Sequence, residues 1–139
     1  MSLFNVFTIS GTGMSAQSVR LNTTASNIAN ADSVSSSVDQ TYRARHPVFA
    51  AQMQKAAAGQ DSTGVGVQVL GIVESNKPLT AEHAPEHPMA DKDGYIYKPN
   101  VNVIEEMTNM ISASRSYQTN VQLAESAKNM LNKTLQLGK

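Results

Sequence analysis

Apolar side chains recur with heptad spacing at both ends of the chain, and with a period of two in parts of the middle. Phe7, Met14, Leu21 and Ile28 stand seven residues apart, and Phe4, Gly11, Ser18 and Ala25 precede each of them by three. This a/d pattern, with small residues in the a series, predicts a helix over 3–31 that packs closely along a partner helix. Gly11 and Gly13 each cost about 1 kcal/mol relative to Ala inside a helix, so a kink or local fraying is expected there. The two glycines fit either a weak helix start or a close helix–helix contact. The second heptad series is longer. Val103, Met107, Met110, Ser114, Tyr117, Val121, Ala124, Lys128, Leu131 and Leu135 alternate spacings of four and three. They predict a helix over 100–137, on the order of 55 Å long. Ile104 and Ile111 widen its apolar stripe. Asn100, directly after Pro99, is the expected N-cap. Glu105 and Glu106 near the start, with Lys133 and Lys139 near the end, complement the helix dipole.

The stretch between the two helices contains all five prolines. Residues 33–37 read as a polar linker and 41–49 as extended. Val65, Val67, Val69 and Val73 alternate with Gly71, the period of a half-buried strand that a bulge can interrupt. Asp93-Gly94 is a turn signal before the β-favouring triplet Tyr95-Ile96-Tyr97. Residues 48–58 have two readings: Pro47 and Gly59 would frame a short helix, while Val48 and Phe49 would continue a strand. The expected fold is α+β. Long N- and C-terminal helices pair as a coiled coil and bracket a small β-rich insert, with divisions at 1–32, 33–99 and 100–139.

Composition narrows the function. Lys plus Arg and Asp plus Glu both count 11, so the net charge is zero, which argues against a nucleic-acid or anionic-membrane binder. Without cysteine there is no disulfide scaffold, Cys-based zinc site or thiol chemistry. Four tyrosines, three phenylalanines and no tryptophan give a thin core for this length. The insert is too short to cover the C-terminal helix, so the N-terminal helix and other molecules are expected to cover it. Residues 1–10 lack a basic n-region, and Ser10-Gly11-Thr12-Gly13 interrupts them early, so a cleaved signal peptide is not expected. No run approaches the roughly 18 apolar residues of a spanning helix.

Candidate chemistry is sparse. His83 and His87 are four apart beside Glu82 and Glu86, but such a pair converges on a metal from a helix, and Pro85 and Pro88 break one here. Asp91-Lys92-Asp93-Gly94 lacks the first and last carboxylates of a calcium loop and reads better as a turn. Gly11-Thr12-Gly13 lacks the ending of a nucleotide loop. Arg43, Arg45 and His46 read as a solvated strand face or an intersubunit salt bridge. No nucleophile–base arrangement has motif spacing. No catalytic, cofactor-binding or metal-binding residue is expected, and the chain does not read as an enzyme.

One segment carries a resemblance. Ala25-Ser26-Asn27-Ile28-Ala29-Asn30-Ala31-Asp32-Ser33 resembles the Asn-Leu-Ala-Asn signature of the flagellar axial proteins of rod and hook, with Ile28 in place of the commoner Leu. Tyr42-Arg43-Ala44-Arg45, His87-Pro88, Pro99-Asn100-Val101 and Ser112-Ala113-Ser114-Arg115-Ser116-Tyr117-Gln118 follow in order, as does the closing Leu135-Gln136-Leu137-Gly138. Together with the short length they resemble the proximal rod members of that family.

The resemblance implies a self-assembling structural subunit of the basal-body rod, a helical hollow drive shaft that transmits torque and passes exported subunits. It implies type III export without a cleaved signal. The implied partners are further copies, other rod proteins and the export apparatus, with no nucleic acid, membrane span or small-molecule substrate. The expected assembly seam is Phe7, Met14, Leu21, Ile28, Val103, Met107, Met110, Tyr117, Val121, Leu131 and Leu135. The matching motif residues are Ser26, Asn27, Ile28, Ala29, Asn30, Tyr42, Arg43, Ser114, Arg115, Tyr117 and Gln118. Asn27 and Asn30 can cap carbonyls and bond neighbouring backbone where the first helix ends, or form an ordinary polar terminus. The rival reading is a soluble coiled-coil module that recognises a partner helix or ligand through its insert.

Overall fold

The computed structural model describes residues 3–52 and 64–138. The chain runs α1 (Leu3–Ala29), β1 (Arg45–Gln52), β2 (Gly66–Glu74), β3 (Thr80–His83), β4 (Tyr95–Lys98) and α2 (Val103–Leu137). Two long terminal helices enclose two separate antiparallel hairpins, β1–β2 and β3–β4, so the fold is α+β as the sequence predicts. The helices run antiparallel. Asn27 meets Glu106, Arg20 meets Asn109, and Gly13 lies against Asn120, so position rises on one helix as it falls on the other.

α1 is continuous through both glycines, without the expected break. A Cβ at Gly13 would stand 2.9 Å from the Asn120 side chain, so this glycine marks a close approach of α2. Gly11 faces open space. The N-cap of α2 is Asn102 rather than Asn100. Asn102 is extended, at φ −99° and ψ 106°, and its side chain accepts from the Ile104 and Glu105 amides. Asn100 is committed elsewhere, to the base of the first hairpin.

Residues 48–52 continue β1, through Pro47 paired with Ile72, so the strand reading holds there. The rest of the ambiguous 48–58 stretch, with Gly59, lies outside the described residues, as does Lys139. The pairing skips Leu70 between Val48–Gly71 and Phe49–Val69, which puts a bulge beside Gly71. The linker at 33–37 is docked: Ser35 exchanges both backbone hydrogen bonds with Tyr97 at 3.0 Å. Gly94 closes the turn into β4 at φ 77°, a conformation that L side chains rarely adopt. β3 carries no strand pattern in the sequence. It exists because Thr80, Ala81, Glu82 and His83 pair with Lys98, Tyr97, Ile96 and Tyr95.

Among the described residues the buried apolar set is small: Ala16, Ala44, Ile96, Ala113, Ala124 and Ala127. Polar groups share the interior, with Asn27 fully buried and Glu106, Thr23, Thr24 and Ser10 nearly so. Alanine and hydroxyl side chains let the two backbones come close, but each buries little apolar area.

Candidate assembly interface

The end of α1 is built around one carboxamide. Asn27 Oδ1 accepts from the Tyr42 hydroxyl at 2.8 Å and from the Arg45 amide at 2.9 Å. Its Nδ2 donates to the Arg45 carbonyl at 2.8 Å and to Glu106 Oε2 at 3.1 Å. Every donor and acceptor site of the amide is used. One side chain thereby joins α1 to the first residue of β1 and the first turn of α2. Tyr42 also lies under the Arg45 guanidinium, 5.5 Å from ring centroid to Cζ, and Arg45 reaches on to Glu74 at 3.1 Å. Burial raises the Tyr42 phenol above its ordinary pKa; Arg45 opposes the shift, and the carboxylates of Glu106 and Glu74 add to it.

A second carboxamide holds the other side of the hairpin base. Asn100 Oδ1 accepts from the Ala44 amide at 2.8 Å, and Nδ2 donates to the carbonyls of Ser75 and Lys77 at 3.3 and 2.8 Å. Farther along, Thr12 Oγ1 accepts from the Val67 amide at 3.2 Å, which seats β2 on α1. Asn30 plays a smaller part. Its Nδ2 donates to the Ser26 carbonyl at 2.8 Å, within its own helix.

The motif residues therefore separate in space. Tyr42 and Asn27 share one cluster. Arg43 lines an adjoining polar cleft of about 630 Å³, with Asn30, Asp39, Arg45 and Glu74. Ser26 and Ala29 are exposed and Ile28 is half-buried. Ser114, Arg115, Tyr117 and Gln118 sit two to three turns beyond Glu106 on α2, away from the Asn27 cluster.

The two helices close on a stripe of α2 that shares only Ala124 with the predicted series. Buried α2 positions are Glu106, Ala113, Ala124 and Ala127, and Asn109 and Asn120 complete that face through Arg20 and Gly13. Met14, Leu21, Ile28, Met110, Val121 and Leu131 are half-buried, while Phe7, Val103, Met107, Tyr117 and Leu135 are exposed. Close packing selects small side chains for the contact and displaces large ones to its flanks. At the open end of the pair, Phe4, Phe7, Ala127, Lys128 and Leu131 line an apolar groove of about 370 Å³.

His83 lies on β3 with its ring edge to Tyr95, and His87 Nδ1 accepts from the Met89 amide in a turn. Among the described residues no three His, Cys, Asp or Glu side chains gather where they could hold a metal. No described helix is long and apolar enough to cross a membrane.

Relatives decide what this architecture belongs to. Residues 7–35 match the family described as flagella basal body rod protein, and residues 92–137 match the C-terminal family of the flagellar basal body rod FlgEFG proteins. Flagellar basal-body rod protein FlgC of Salmonella typhimurium is 48% identical over 138 residues, covering 99% of both chains. The FlgC proteins of Escherichia coli O6:H1 and Yersinia enterocolitica are 49% identical over the same span, again with 99% of each chain covered.

The chain belongs to the FlgC family of flagellar basal-body rod proteins. It is a structural subunit of the rod, as the resemblance implied, and the single-partner coiled-coil module finds no support among these relatives. Asn27, one of the expected motif residues, lies at the centre of the hydrogen-bonded cluster. Its α2 partner Glu106 and the hairpin anchor Asn100 were missed because charge near a helix start reads as a dipole effect, and Asn after Pro reads as a cap. The heptad of Glu106, Ala113, Asn120 and Ala127 was the available signal.

Proposed function

We propose that the chain is a proximal subunit of a hollow, helical drive shaft, and that its paired helices build the wall by packing against neighbouring subunits. The observation that carries this reading is the apolar surface left on helices that have already paired. Ile104 is 77% exposed, Ile111 55% and Met107 53%, one or two turns apart along α2. With Leu131 and Leu135 they form a surface better suited to protein neighbours than to water. The assembly seam comprises Phe7, Met14, Leu21, Ile28, Val103, Met107, Met110, Tyr117, Val121, Leu131 and Leu135, all half-buried or exposed in the single chain. The neighbours are further copies and other rod and basal-body proteins. The chain reaches the rod through the flagellar type III apparatus without a cleaved leader, and the finished shaft transmits torque and passes later subunits. Packing does this work, with no catalytic step.

Complementation of a strain lacking its own FlgC tests the proposal. Motility should return, and the chain should co-purify with basal bodies carrying its intact N-terminus by mass spectrometry. Secretion without incorporation, or a processed N-terminus, would overturn it.

A further inference from the structure

We propose that Glu106 is a positioning residue that couples helix pairing to the seating of the first hairpin, so that β1–β2 takes its fixed direction only once α2 has docked on α1. The geometry is a relay through one amide. Glu106 Oε2 accepts one proton of Asn27 Nδ2, and the other goes to the Arg45 carbonyl. With both amide protons held, Oδ1 points at the Arg45 amide and the Tyr42 hydroxyl. Asn27 is fully buried and Glu106 is 3% exposed, so water does not replace either partner. Among the described residues Glu106 has no cation within salt-bridge distance; Arg45 pairs with Glu74 and Lys77 with Glu105. A buried carboxylate whose side-chain bond goes to an amide is costly as a stability device and well suited to fixing one arrangement. Before α2 docks, Asn27 lacks the acceptor that orients it, and the amide that bonds the hairpin base to α1 is free to turn. In a subunit that enters its assembly unfolded, this order would keep the insert from setting its direction ahead of the helices. That use rests on the rod reading; the coupling belongs to the single chain and is measured without a rod.

Amide hydrogen exchange on the purified full chain tests it, with Glu106→Leu, Glu106→Gln and Tyr42→Phe. Glu106→Leu should speed exchange across β1 by roughly tenfold, the population change expected from one lost hydrogen bond to a charged group. β3–β4 should be unaffected. Glu106→Gln should restore protection, because its carbonyl oxygen still accepts from Nδ2. Coupling is reciprocal, so Tyr42→Phe, made on the insert side, should speed exchange in the first turns of α2. The proposal falls if Glu106→Leu loosens only the helices or unfolds the whole chain, if Gln fails to rescue, or if Tyr42→Phe leaves α2 unchanged.

Discussion

Asn27 makes four hydrogen bonds with one short side chain, and no other residue of its size offers two donors and a doubly accepting oxygen. Asn27→Leu would strand the Arg45 amide and carbonyl, the Tyr42 hydroxyl and the Glu106 carboxylate. Glu106 is buried and the other three groups partly so; a buried group left unpaired costs about 1–3 kcal/mol, so the sum should exceed about 2 kcal/mol even after partial relaxation and solvent access. Asn30→Leu removes one bond to an exposed helix end and should cost under about 1 kcal/mol. Urea unfolding of the two full-length variants compares them, and equal losses would show that the buried amide is no more than a polar terminus. A surface ion pair adds a local acid response. Lys98 hydrogen-bonds Glu82 across β3–β4 and its charge adds to the effect, so Glu82 titrates below the ordinary glutamate range. The folded chain therefore holds that proton less tightly than the unfolded one. The stabilising contribution is complete above about pH 4.3, the ordinary value, and fades as pH falls through the lower folded value. Glu82→Gln should flatten the acid response of β3–β4 amide signals in NMR titration; an unchanged response would sink the assignment.

Helix α1 treats its two glycines differently. Gly11→Ala meets open space and should stabilise the chain by up to about 1 kcal/mol, while Gly13→Ala should gain less because Asn120 must move aside. Thermal unfolding of both variants checks this, and equal gains would contradict the close approach at Gly13. The same helix shows what periodicity reveals. Heptad spacing located both helices, because apolar residues that avoid water recur whichever neighbour covers them. It could not tell which stripe the chain's own partner covers. Large residues such as Met107 and Tyr117 dominate a pattern count, yet contact at backbone distance is made by Gly13, which the sequence marks as one possible close contact, and by Ala113 and Asn120, which look neutral in sequence. Strand β3 and the anchors Asn100 and Ser35 were invisible for a related reason. Their order comes from partners far along the chain, Lys98 to Tyr95, Ala44 and Tyr97, and no local pattern encodes it.

Across the whole molecule, polar bonds between elements gather at the insert end of the helix pair, while exposed apolar side chains run along the outer face of α2 from Ile104 to the open end. Asn27, Glu106, Arg20 and Asn109 tie the insert end; Phe7, Leu131, Leu135 and the 86%-exposed Leu137 lie at the open end. The single chain is thus specified where the insert joins the helices and left incomplete where neighbours would cover it. This division separates folding from assembly in a way that substitutions can read. Ala113 is fully buried between the helices, so Ala113→Leu overpacks the pair and should cost about 1–3 kcal/mol in the isolated chain. Ile111, half a turn away, faces outward, so Ile111→Ser should change monomer stability by less than about 0.5 kcal/mol. In the rod the order should reverse in kind. Ile111→Ser removes apolar area from every subunit contact it serves and should abolish incorporation into purified basal bodies at equal protein level. Leu135→Ser should behave alike. Normal rods from Ile111→Ser, with motility intact, would show that this outward stripe faces water in the assembled shaft.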